Sequence, residues 1–199
     1  MINTTQMREL IHRTLSEVGE KYASDESVQL VLETGLVESQ YKYIKQLGDG
    51  PAKGFWQVEP STAVDNLAHF LIHRKSFMKA CAEASLVDIK HWQSYDEKLW
   101  ADILEKNIAA GIIHCRIKYW RVPKRMPNSL TGRAAYWKQY YKHIIDYVCN
   151  CYSFTNNKHW QRPKFSKISK CINGNFNVFN WLPGFSNKLY FWSYFPIYT

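Results

Sequence analysis

Apolar residues recur at three- and four-residue steps from the start of the chain: Met7, Leu10, Ile11, Leu15, Val18 and Tyr22. That spacing keeps them on one face of an amphipathic helix. Asn3 and Gln6 stand at the separation of a capping box at its start. Ser24 is placed to cap a second helix, with Asp25 and Glu26 in the first turn, where acidic groups meet the positive end of the helix dipole. This second helix carries Val28, Leu30, Val31, Leu32, Leu36 and Val37. It is apolar nearly all round, which predicts burial in the middle of a domain. It delivers Glu38 at its C-terminal end.

After a glycine-containing loop, Pro60 suits the first turn of a helix through Ala63, Leu67, Phe70 and Leu71. A short helix is predicted over about 77–84. Ser94 and Glu97 form a second capping box that opens one long helical stretch through Leu99, Trp100, Ile103, Ile108, Ile112, Ile113 and Ile117 to Trp120. Gly111 within it marks close helix packing or a kink. Pro123 and Pro127 bound a basic loop, and a last helix is predicted over about 130–148. No alternation at period two occurs before residue 150. The fold class expected is mainly α.

The pattern then stops. Asp146 is the last acidic residue, and residues 147–199 hold six Lys or Arg, many Asn and dense aromatics. Gly174, Pro183, Gly184 and Pro196 break any long element there. The expected organisation is a helical domain over 1–149 and a basic, aromatic-rich, irregular C-terminal tail over 150–199. The net charge of +9 points to a polyanionic partner, and most of it lies in the tail. Such a tail suits single-stranded nucleic acid, an anionic surface or glycan, or burial against another protein. The five cysteines are odd in number and irregular in spacing, which implies no disulfide framework. The N-terminus lacks the apolar core of a signal peptide, and no apolar run reaches the ~18 residues of a membrane span.

Candidate chemistry concentrates in residues 33–60. Glu38-Ser39 ends the apolar helix, a loop follows with Gly48, Gly50, Pro51 and Gly54, and order resumes at Phe55-Trp56-Gln57-Val58. Cleaving a glycosidic bond needs a proton for the leaving oxygen, supplied by a carboxylic acid in a poorly solvated site. Glu38 has that position. A conventional glycosidase needs a second carboxylate at a defined separation, and the nearest candidate, Asp49, is not fixed opposite Glu38 by anything in the sequence. The Gln57 amide between aromatics suits hydrogen bonding to an acetamido group. Glu33 reads as a surface or structural carboxylate, and Asn107 as a residue that caps or packs a helix turn rather than touching sugar. His69 and His73 lack a third metal ligand, Cys149-x-Cys151 with His159 and Cys171 has the wrong spacing for a zinc knuckle, and the glycine loop lacks a Walker ending. No metal or cofactor is implied.

Glu38-Ser39, Gly54-Phe55-Trp56-Gln57-Val58-Glu59-Pro60, Asn107-Ile108-Ala109-Ala110-Gly111-Ile112 and Ala134-Ala135-Tyr136 follow in this order. Together they resemble the motifs of the soluble-lytic-transglycosylase domain, in the version carried by tailed bacteriophages. Two departures stand out: Phe55-Trp56 replaces a smaller aliphatic pair, and Trp137-Lys138 replaces Asn-Ala after the tyrosine. The resemblance implies a lysozyme-like helical domain and cleavage of the β-1,4 bond between N-acetylmuramic acid and N-acetylglucosamine in peptidoglycan. Glu38 is implied as acid and then base, with Ser39, Phe55, Trp56, Gln57 and Tyr136 against the glycan strand. It further implies 1,6-anhydro products and a place in the phage virion, with other virion proteins, or the genome, as partners of the tail. A hydrolytic lysozyme using Glu38, an inactive structural virion protein and a basic nucleic-acid-binding protein are the alternatives.

Overall fold

The computed structural model describes residues 2–141, all within one compact unit of the chain. The expected boundary at 149/150, the tail, the far end of the last helix and the Cys149–Cys151 pair lie outside the described residues. Within them the chain is mainly helical and has no strand, only isolated bridges at Lys45–Lys53 and Lys53–Val58. The helices are α1 (Thr4–Val18), α2 (Asp25–Glu38), α3 (Pro60–Asn66), α4 (Lys75–Ser85), α5 (Ile89–Trp92), α6 (Glu97–Lys106), α7 (Ile108–Trp120) and α8 (Leu130–Tyr140). None is long and apolar enough to cross a membrane.

The caps explain the boundaries. Asn3 Oδ1 accepts from Thr5 N and Gln6 N at the start of α1, and Ser24 Oγ accepts from Ser27 N at the start of α2. α1 ends earlier than its apolar pattern, because Gly19 leaves helical geometry at φ 147° and Tyr22 falls on a separate 3-10 turn. Pro60 opens α3 as expected, and the chain then widens into a π turn over Leu67–Leu71. α5, one turn capped by Asp88, was not foreseen. Asp96, not Ser94, caps α6, its carboxylate accepting from Lys98 N and Leu99 N.

The expected single helix from residue 97 to 120 is two helices. Asn107 sits between them in extended geometry, accepts from Ala110 N at 2.8 Å and donates to Ser85 O at 2.9 Å. It caps α7 and ties it to the end of α4. α2 and α7 are the interior helices, each buried over most of its length. α1 packs on α2, α4 and α7, α3 packs on α6, and α8 closes against α2.

Gly111 marks close packing, as the sequence suggested. A Cβ there would lie 3.1 Å from the Trp56 ring, and that ring is pinned by its indole N–H to Val31 O at 2.8 Å. Gly54 is more constrained: its φ is +70° and a Cβ would come within 2.6 Å of the Leu104 carbonyl oxygen. Deeper in the core, His114 stacks on Trp92 at 5.0 Å, meets the edge of Trp100 and shares a hydrogen bond with Asn66. Its Nε2 has no hydrogen-bond partner, and burial pulls its pKa down to about 3.

Two outcomes follow. Ala for Gly in α7 gains about 1 kcal/mol of helix propensity but overpacks a pinned ring at about 1–3 kcal/mol, so Gly111→Ala is expected to be mildly destabilising. Gly54→Ala adds backbone strain to a clash with backbone and is expected to cost more, about 2–4 kcal/mol by urea denaturation. Because the His114 pKa is lowered in the folded state, its neutral form contributes full stability above the unfolded value of about 6.5. That contribution is lost as pH falls toward 3, at about 1.4 kcal/mol per pH unit. The urea midpoint of His114→Phe should accordingly fall less steeply between about pH 6.5 and pH 4 than that of the native chain.

Candidate functional site

α2 and α8 are joined by a two-point ion pair. Arg133 Nε donates to Glu33 Oε2 at 2.7 Å and Arg133 Nη2 to Glu33 Oε1 at 2.8 Å, with both side chains nearly buried. Gln29 donates to the same carboxylate at 2.9 Å. The pair raises the Arg133 pKa, the Glu33 hydrogen bond being the main cause. Of the two readings the sequence left for Glu33, surface or structural, the buried pair selects the structural one. One turn further along α8, Trp137 Nε1 donates to Glu38 Oε1 at 2.9 Å. Glu33 and Glu38 are about 140° apart around α2, yet both reach α8. Arg133 and Trp137 meet them because residues four apart share one helix face.

Glu38 is half-buried. Close to it are Cys115 and Tyr119 on α7 and Tyr141 just after α8, all buried. Burial pushes all three of these pKa values up, and the negative charge of Glu38 pushes the same way. The Tyr119 hydroxyl is shared with Thr34 at 2.8 Å, and Tyr141 OH donates to Trp56 O at 2.7 Å. Lys118 Nζ donates to Tyr141 O at 2.6 Å and lies over that ring. Glu38 therefore lies close to two buried, neutral phenols and a buried thiol.

Next to Glu38 in the chain, Ser39 is buried. Its hydroxyl donates to Phe55 O at 2.8 Å and accepts from Tyr41 N at 3.1 Å, so the end of α2 is tied to the turn that follows the glycine loop. Phe55 is half-buried with its ring edge-on to Tyr41. Gln57 is half-buried, adopts φ 47° and donates its amide to Gly54 O at 2.8 Å. Gln40 and Tyr41 are also left-handed, at φ 53°. Three strained non-glycine residues bracket the Ser39–Phe55 link, a concentration of a kind found at ligand sites.

Glu38, Phe55, Gln57 and Trp137 thus have partly open side chains. Ser39 is 2% exposed, Trp56 1% and Tyr136 6%. These three, expected to lie against a glycan, are buried in this structure. The Tyr136 hydroxyl donates to Lys124 O, and its ring packs against Tyr119 and Tyr140. Trp137, noted in the sequence only as a departure from the motif, touches the acid. The missed signal is its four-residue spacing from Arg133. Phe55 also lines a pocket of 220 Å³ with Ile44, Leu104 and Ile108, but Glu38 is not in its wall.

Asp49 is exposed in the glycine loop. Among the described residues no cluster of His, Cys, Asp and Glu could hold a metal ion, and His69 lies 3.7 Å from Asp65. Comparison with family models, curated proteins and solved structures returns no match for this chain.

The clamp between α2 and α8 can be measured. Removing either partner alone leaves a nearly buried charge behind and is expected to cost about 3 kcal/mol. A double-mutant cycle of Glu33→Gln and Arg133→Met, read by urea denaturation, should give a coupling of about 2 kcal/mol or more. A coupling near zero would show that the pair does not hold the two helices together.

Proposed function

We propose that this chain is a peptidoglycan lytic transglycosylase in which Glu38 acts as the acid and then as the base. The observation that most supports this is Glu38 itself: a half-buried carboxyl at the end of an interior helix, hydrogen-bonded by the Trp137 indole and close to buried, neutral tyrosines.

In this reading Glu38 protonates the bridging oxygen as its bond to C1 of the muramyl residue breaks. The N-acetyl oxygen of that residue bonds to C1 in the meantime. The Glu38 carboxylate then takes the proton of the muramyl 6-hydroxyl, whose oxygen displaces the acetyl oxygen at C1. The product is the 1,6-anhydro ring, and no water is consumed. One carboxylate suffices. Among the described residues, two facts support a single acid: Glu33 is tied to Arg133, and Asp49 is exposed in the loop. The half-buried Gln57 amide and Phe55 ring are the groups offered to the sugar and its acetamido substituent.

The motif order resembles the versions carried by tailed phages, and that resemblance sets the reaction in local wall opening by a virion. The lysozyme-like fold is part of the same reading.

Digestion of peptidoglycan by the native chain and by Glu38→Gln, with products read by mass spectrometry, tests the proposal. Anhydro-muropeptides from the native chain, reduced about 100-fold or more in the variant, are expected. Reducing-end products would instead indicate a lysozyme using the same acid. No products from folded native protein on several wall types would overturn both.

A further inference from the structure

We propose that this chain forms a two-fold symmetric dimer in which Leu86 of each copy enters the apolar pocket beside Phe55 of the other. The dimer does not depend on the role given to Glu38.

The end of α4 supplies the knob. Leu86 N donates to Glu83 O and Val87 N to Ala82 O. This pair of bonds closes a helix around one left-handed residue, a place that glycine usually fills. Leucine fills it here, at φ 55°, and its side chain is 94% exposed. The single chain thus holds a strained leucine that packs on almost nothing.

The hole lies next to it. Asn107 belongs to the pocket wall and donates to Ser85 O at 2.9 Å, the carbonyl of the peptide that leads into Leu86. Ile44, Phe55, Leu104 and Ile108 line the same pocket, and Ile44 and Ile108 are themselves 46% and 41% exposed. Its volume of 220 Å³ exceeds the ~150 Å³ that admits benzene in an engineered apolar cavity, so one leucine side chain fits. Knob and hole stand side by side. A second copy turned by 180° therefore offers its hole to the knob and its knob to the hole, the reciprocal contact of an isologous dimer.

Charge permits this pairing. The chain carries +9 overall, which opposes self-association. The charges bordering this face are nonetheless matched within the chain: Glu105 with Lys45 and Lys53, Asp102 with Lys106, and Glu83 with Lys79. Two such faces meet without strong repulsion, and what they present to each other is apolar. Phe55 lines the pocket while its carbonyl accepts from Ser39, so an occupied pocket backs the turn beside Glu38.

Sedimentation velocity on the full chain tests the dimer. The native chain should pass from monomer to dimer between about 5 and 200 µM, as suits a modest interface. Leu86→Gly installs the residue that the turn favours, so it should keep or raise the urea midpoint while weakening the dimer about 10-fold or more. Leu86→Asp and Ile44→Lys should each be monomeric alone. Their equimolar mixture should recover a dimer, because one contact then sets Asp against Lys and the other is native. A native chain that stays monomeric throughout overturns the proposal and leaves the face to a different partner. A dimer that Leu86→Gly leaves unchanged, or assemblies that grow past two chains, overturn it as well. Variants that stay apart when mixed overturn the reciprocal contact.

Discussion

The Glu33–Arg133 ion pair is the constraint on which the arrangement around Glu38 depends. α2 is apolar on most of its surface, and an interior helix of that kind can rotate or slide against its neighbours at modest cost, because apolar packing has little direction. A two-point guanidinium–carboxylate contact has direction and distance. Both partners are nearly buried, so an alternative packing would strand at least one charge away from water, an outcome far more costly than a few displaced methyl groups. The pair therefore selects one angular setting of α8 on α2. The positions of Trp137 over Glu38 and of Tyr141 beneath Trp56 O follow from that setting.

The opposite wall is built from weaker pieces. Ser39 ties helix to turn through single neutral hydrogen bonds, and Gln40, Tyr41 and Gln57 hold left-handed backbone without glycine's freedom. Phe55 and Gln57 project from this wall. The two ends of this region are thus held differently, one by a charged clamp, the other by a turn with left-handed backbone.

Much of the helical frame was legible because its signals are local. Asn3, Ser24 and Pro60 each mark a helix start within a few residues of the apolar run they precede, and the structure starts helices at all three. The break at Asn107 was not legible in the apolar spacing. Ile103, Ile108, Ile112 and Ile117 keep helical spacing straight through it, and what turns the chain is a hydrogen bond to Ser85 O, distant in sequence. Glu38 could be singled out because it is a lone carboxyl ending an apolar helix. Trp137 could not, because α8 carries aromatics on several faces and its periodicity does not choose one. Trp56 looked like a ring for a sugar to stack on, whereas its indole N–H finds a partner inside, at Val31 O. Side chains that are both large and polar-tipped serve core and cleft equally well, and only the partner decides which.

The four-residue stripe of Arg133, Trp137 and Tyr141 makes helical register itself a determinant of the site. Each of the three reaches a different partner: a carboxylate one turn inside α2, the acid at its end, and a backbone carbonyl beyond the glycine loop. Inserting or deleting one residue upstream in α8 would turn the whole stripe by about 100° and part all three contacts together, while leaving composition and helix propensity almost untouched. Outside these three positions, side-chain identity along α8 can vary as long as that phase is kept; the spacing between them cannot.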